Sequence, residues 1–182
     1  MKMIIKIIFF FIISMSNVIS NEINDKLNKL FSDLKNSNNN SSFEIEQKIW
    51  KLWSTHPKNK KLTLLLADGS KAVNNNEPIK AIEIFTNVIN LDPDWAEAWN
   101  KRATVLYMIG DYQKSQNDID KVLELEKRHF GALAGQGLVN IKLKNYEKAI
   151  KSYEMALEIY PSMSSPEIMI KEIKALIKQD LI

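Results

Sequence analysis

FGALAGQGLVNIKLKNYEKAIKSYEMALEIYPSM, from Phe130 to Met163, reads as two amphipathic helices joined by a short polar turn. In its first half Leu133, Gly137, Leu138 and Ile141 share one face of a helix with 3.6 residues per turn; in its second half Ala149, Ile150, Tyr153, Ala156 and Leu157 do the same. Lys144 and Asn145 break the pattern between the two, and Tyr160-Pro161 ends it, because the residue before proline avoids the α region. Two such short helices cannot bury their apolar faces alone, so the stretch needs neighbours of the same kind.

Those neighbours lie directly upstream. Leu62 to Trp95 and Ala96 to His129 align with it without a gap, at a period of 34 residues. Tyr112 falls on Tyr146, Ala81 on Ala149 and Pro93 on Pro161. Leu65, Trp99 and Leu133 share one repeat position, and Phe85, Ile119 and Tyr153 share another. Gly69, Ala103 and Gly137 share a third, where small residues let paired helices approach. Asn76-Glu77, Gly110-Asp111 and Lys144-Asn145 are the expected turns within the pairs. Pro78 suits a first helical position, since its missing N–H is an orphan there anyway. Trp99 is expected in the core and Trp95 at the junction between copies.

A gapless 34-residue period with these positions resembles the tetratricopeptide repeat (TPR) family. The third copy matches at Leu133, Gly137, Tyr146, Ala149, Tyr153, Ala156 and Pro161. The second has Ser115 for the usual alanine and Lys127 for the usual proline, and the first has Pro78 where the second helix usually carries an aromatic. Trp99–Ala103 and Arg128–Leu133 are also similar to stretches in secreted bacterial TPR proteins. The resemblance implies an all-α, right-handed helical solenoid with repeats at 62–95, 96–129 and 130–163. It also implies a protein-interaction module with no enzymatic activity and no cofactor, whose first helices line a concave groove. Carried over residue by residue, that groove holds Thr63, Leu66, Ser70 and Asn74, then Glu97, Asn100, Thr104 and Tyr107, then Ala134, Leu138, Ile141 and Lys142. Asn100 would bond a peptide backbone, and Tyr107 would offer a ring and a hydroxyl. The lysine, arginine and asparagine cluster that grips a terminal carboxylate in chaperone-binding relatives is represented only by Asn100 and Lys142. The expected partner is an extended or helical peptide with one or two apolar side chains.

Two flanks complete the array. Residues 164–182 read as a capping helix, starting at Ser165-Pro166 with Met169, Ile173, Leu176 and Ile177 inside. Residues 21–61 read as a helical pair stacked on the first repeat. Ile23, Leu27, Leu30, Phe31 and Leu34 stripe its first helix. Asn36 to Ser42 forms a polar linker, and Ser42 caps a second helix striped by Ile45, Ile49, Leu52 and Trp53. Trp50 and Trp53 are expected to pack on the first repeat. An alternative role uses the flanks themselves: a structural subunit of an envelope assembly, in which Ile168, Ile170, Leu181 and Ile182 meet another chain or a second copy, or an accessory subunit of an enzyme.

Met1 to Ser20 reads as a secretory signal peptide. Lys2 and Lys6 precede the unbroken apolar run Ile7 to Ile13, and Val18-Ile19-Ser20 offers a cleavage site. The run is far shorter than the roughly 20 apolar residues a spanning helix needs, so no stable membrane insertion is expected after cleavage; a retained anchor is the alternative. With no cysteine in the chain, export points to a bacterial periplasm. The leader carries two lysines and no acid, so the remainder has 23 basic against 22 acidic residues, a balance that argues against a nucleic-acid partner. No cysteine and two histidines leave no metal-ligand spacing and no thiol nucleophile. Gly131, Gly135 and Gly137 follow no strand and read as helix packing rather than a phosphate loop. His129 reads as a surface or capping residue and His56 as a partner for the last carbonyls of a helix. Asp118 with Asp120, and Glu124 with Glu126, read as solvated surface.

Overall fold

The structure, a computed structural model, describes residues 22–37 and 39–180. The leader read at 1–20 and the pair Leu181 and Ile182 lie outside them. The described residues form nine helices and no strand: α1 (22–35), α2 (Asn39–Trp53), α3 (Lys60–Asn74), α4 (Pro78–Leu91), α5 (Ala96–Met108), α6 (Tyr112–Leu125), α7 (Phe130–Lys142), α8 (Tyr146–Ile159) and α9 (Ser164–Asp180). α3 pairs with α4, α5 with α6 and α7 with α8; each pair packs on the next, and α9 covers α8. None of these helices is long and apolar enough to cross a membrane.

Each pair is closed by the same turn. Asn76, Gly110 and Lys144 adopt φ of 59°, 84° and 60°, the left-handed region. The next amide reaches back five residues in every copy: Glu77 N to Ala72 O at 2.9 Å, Asp111 N to Leu106 O at 2.9 Å, Asn145 N to Asn140 O at 2.8 Å. This Schellman arrangement satisfies carbonyls that the helix end leaves open. Gly110 adopts it without steric cost, whereas Lys144 holds it against its own Cβ.

Side-chain size is matched across each pair. A Cβ on Gly137 would lie 2.5 Å from Tyr153 Cζ, and one on Gly69 would overlap the Phe85 ring. In the second pair the small partner is Ala103 and the opposing residue is Ile119, both in one buried cluster. The alanine's extra methyl is offset by a smaller neighbour. Ser115, where the other copies have alanine, is buried, and its hydroxyl donates to Ala103 O at 2.8 Å. Burial pushes the Tyr153 phenol up to about 12, so it remains neutral.

Polar links tie successive repeats. Arg102 grips both oxygens of Asp118 at 2.7 and 2.8 Å and donates to Thr86 at 3.0 Å. One period later Gln136 accepts from Ser152 at 2.9 Å and donates to Asp120 at 3.4 Å. Asp118 is therefore a buried ion-pair partner, not the solvated acid its spacing suggested. Trp99 is half-buried rather than core: its indole donates to Pro93 O at 2.8 Å, and Arg102 lies over its ring.

The flanks depart most from expectation. Helix α2 begins at Asn39, so the linker is shorter than Asn36–Ser42, and Ser42 lies inside the helix, buried near Tyr160. The α1–α2 pair packs mainly on the third repeat and meets the first only where α2 ends. Leu27, Phe31, Leu34, Ile49 and Trp53 form one core with Phe130 and Tyr160 of the third repeat. On α9, Ile170 packs inward with Met169, Ile173 and Ile177, while Leu176 is exposed. Ile168 faces solvent.

Candidate functional site

Helices α3, α5 and α7 stand side by side and form the inner face of the stack. Helix α2 lies across their N-terminal ends. Its start meets the third repeat, where the Tyr160 hydroxyl donates to Glu46 at 3.1 Å. Its middle crosses α7: Trp53 stacks on the His129 ring at 4.0 Å and 8°, and Trp50 fills the space a Cβ on Gly131 would need. Its end meets α5 and α3. The Trp95 indole donates to Trp53 O at 2.8 Å, and Thr63 Oγ1 accepts from His56 N at 2.9 Å. The two tryptophans thus pack on the third repeat rather than the first.

Beneath α2 sits a buried polar cluster. His129 Nδ1 accepts from Ala132 N at 3.0 Å, which caps α7 and leaves the ring proton on Nε2. That proton is donated to Glu97 Oε2 at 3.1 Å. The Asn100 amide donates to the same oxygen at 3.0 Å, and Lys101 Nζ lies 3.3 Å from Oε1. Both the Glu97 and His129 side chains are fully buried. His129 is therefore a capping residue, as its place suggested, but an internal one. His56 does not serve helix carbonyls: its Nδ1 accepts from Lys58 N and Asn59 N, and its Nε2 bonds Asp92 at 2.7 Å.

Burial pushes the Glu97 carboxyl up, but the hydrogen bond from His129 and the nearby Lys101 ammonium outweigh it and hold the pKa below its ordinary 4.5. A carboxyl lowered on folding contributes stability that is complete above its unfolded value and lost as pH falls through its folded one. The expected result is that Glu97→Gln flattens the acid limb. Urea midpoints measured between about pH 6 and pH 3 will fall less steeply for the variant than for the wild type. Parallel slopes would show that Glu97 carries no part of the acid sensitivity.

The groove expected from the resemblance is thus divided. Leu66 is 2% exposed and belongs to the core of the first repeat, so it does not face a ligand. Glu97 and Asn100 are buried and bonded to each other. Ala134 and Ile141 are half-buried against the cluster of α8 and α9. Thr63 and Ser70 are half-buried, with hydroxyls bonded to His56 N and Leu66 O. Thr104, Leu138, Asn74 and Lys142 are exposed, and Tyr107 is half-exposed against Tyr112. Beyond the edge of α2, a cavity of about 70 Å³ opens between α5 and α7, bordered by Asn100, Thr104, Tyr107, Gly131, Gly135 and Leu138. At Gly135 a Cβ would meet only Ile119 Cδ1, at 3.6 Å, so bare helix forms part of the floor. Among the described residues no group of three His, Cys, Asp or Glu is placed to hold a metal ion.

Comparison with known proteins agrees with this architecture. A tetratricopeptide repeat family model matches residues 131–163. A TPR repeat-containing protein of Rhizobium etli is 35% identical over 138 residues, covering 75% of this chain and 67% of that protein. The chain belongs to the tetratricopeptide repeat family. Two solved TPR-like structures share the fold. The first TPR of Spaghetti (RPAP3), bound to the HSP90 peptide SRMEEVD, aligns with a TM-score of 0.64 and 21% identity over 65% of this chain and 94% of that one. MamA aligns with a TM-score of 0.59 and 21% identity over 91% of this chain and 85% of that one. The open TPR surface was legible in part, because Thr104, Tyr107 and Leu138 keep their repeat positions. The Glu97–His129 pair was not, because 32 residues separate its members and the interval carries no motif.

Proposed function

We propose that this TPR chain is a non-catalytic protein-interaction module that holds a partner segment on the part of its concave face that α2 leaves open. The observation that carries the reading is the apolar cavity between α5 and α7, with Leu138 38% exposed at its mouth and Thr104 beside it. At roughly 30 Å³ per water, the cavity has room for about two, which suits one small aliphatic side chain. Backbone flanking that side chain would meet the Thr104 and Tyr107 hydroxyls. Peptide capture by the solenoid of Spaghetti supports the reading. A carboxylate grip of the chaperone-binding kind is disfavoured, since Asn100 already serves Glu97. A photo-crosslinking residue at Thr104 or Leu138 is expected to trap a partner polypeptide, and Leu138→Asp to weaken capture about tenfold, the cost of about 1.4 kcal/mol of lost apolar contact. Unchanged capture by the aspartate variant would move the interface elsewhere. The exposed Ile168 supports the second reading, assembly through α9, and the same crosslinker at position 168 reads it out.

We also propose that the module works after export, most simply in a bacterial periplasm, with residues 1–20 as the signal. The support is Lys2 and Lys6 ahead of the apolar Ile7–Ile13 run and the absence of cysteine. Fused ahead of a reporter that is active only outside the cytoplasm, Met1 to Ser20 is expected to give activity; a Phe10→Asp fusion is expected to give none. An inactive wild-type fusion would reject the export reading.

A further inference from the structure

The α1–α2 pair has a second face. Leu27, Phe31, Leu34, Ile49 and Trp53 bind it to the third repeat, and its opposite seam is open to solvent. There a groove of about 560 Å³ runs between the helices. Half-buried Leu30 and Leu52 form its floor, and Lys26, Lys29, Lys48 and Lys51 form its rims, with Asp33 the one acid in the lining. Lys26 is paired with Glu22 at 2.7 Å. Lys29, Lys48 and Lys51 have no acidic partner among the described residues. These cations are concentrated on one seam of a chain that is close to neutral once its leader is set aside.

We propose that this seam is a docking groove for an acidic amphipathic helix of a partner protein, distinct from the concave-face site. An apolar floor between two cationic rims takes a helix whose leucine-like stripe enters the groove while flanking carboxylates meet Lys29 on one side and Lys48 and Lys51 on the other. The leader of this chain does not fit, since it carries lysines and no acid. A flat lipid surface fits less well, because the two leucines are half-buried while the lysines of the seam are exposed, and insertion into a bilayer needs exposed apolar side chains.

The test uses the full chain and a labelled helical peptide with leucines on one face and glutamates on the other. Binding is expected at low salt and should weaken as salt screens the rims. Lys29→Glu/Lys48→Glu/Lys51→Glu is expected to weaken it at least about tenfold. The corresponding triple glutamine variant should fall between, and unaltered thermal unfolding of both will show that the fold is kept. Leu138→Asp should bind the peptide as the wild type does, which separates this groove from the concave face. The proposal is overturned if the triple variant binds equally, or if a lysine-faced peptide binds as well. It is overturned too if the substitutions abolish self-association or binding to phosphatidylglycerol–phosphatidylcholine vesicles while leaving the acidic peptide unaffected.

Discussion

His129→Leu will lower stability by about 3 kcal/mol, the lower end of the roughly 3–5 kcal/mol expected when a buried charge loses its partner. The imidazole does three things at once. It caps α7 through Ala132 N, donates to the fully buried Glu97, and supplies the flat surface on which Trp53 stacks. Leucine keeps part of the volume and none of the hydrogen bonds, so Glu97 is left charged in a low-dielectric site. Lys101 remains 3.3 Å from the other carboxylate oxygen and is partly exposed, which places the loss at the lower end. For a chain of this size the unfolding midpoint should fall by about 10 °C, measured by circular dichroism. Glu97→Leu combined with His129→Leu should recover much of the loss, because no charge is then stranded. A double variant less stable than His129→Leu alone would show that the pair is not coupled as drawn.

Trp53→Ala will cost about 3–5 kcal/mol, and the cost will fall unevenly along the chain. Trp53 packs against Phe31 at 5.9 Å, Phe130 at 5.1 Å and His129 at 4.0 Å, so it joins α1 and α2 to the third repeat. Its removal takes the centre out of that cluster and leaves the repeat-to-repeat contacts in place. Amide exchange is therefore expected to accelerate first in α1 and α2, with α3 and α4 retaining protection. Equal loss in every helix would mean that the hairpin and repeats unfold as one unit. Trp53→Phe should be milder, about 1 kcal/mol, because the Trp53 indole N–H meets no acceptor among the described residues and only ring volume is lost.

The buried core around Trp53 also explains why α1–α2 acts as a fixed part of the molecule. It covers the N-terminal ends of α5 and α7, and so it decides which part of the concave face stays open. The resemblance to tetratricopeptide repeats places Leu66, Glu97 and Asn100 on that face by position in the repeat. Position within one helix pair sets which way a side chain leaves its helix, but it carries no information about what a distant segment lays on top. Leu66 failed for a local reason, its burial in its own repeat. Glu97 and Asn100 failed because α2 and His129 close over them.

What the sequence determined by itself was everything of short range and helical period. The 34-residue spacing, the small residues at Gly69, Ala103 and Gly137 where paired helices meet, the turns at Asn76, Gly110 and Lys144, and the helix starts at Pro78 and near Pro166 all follow from residues close in the chain. Only the tertiary structure decided where the leading helices dock, that Arg102 holds Asp118, and that His129 buries its proton against Glu97. An apolar stripe announces that a face will be covered but not by what. The choice among several apolar surfaces is made by shape and by polar groups such as Tyr160 and Trp95, which find their partners only when residues 42 to 118 positions apart come together.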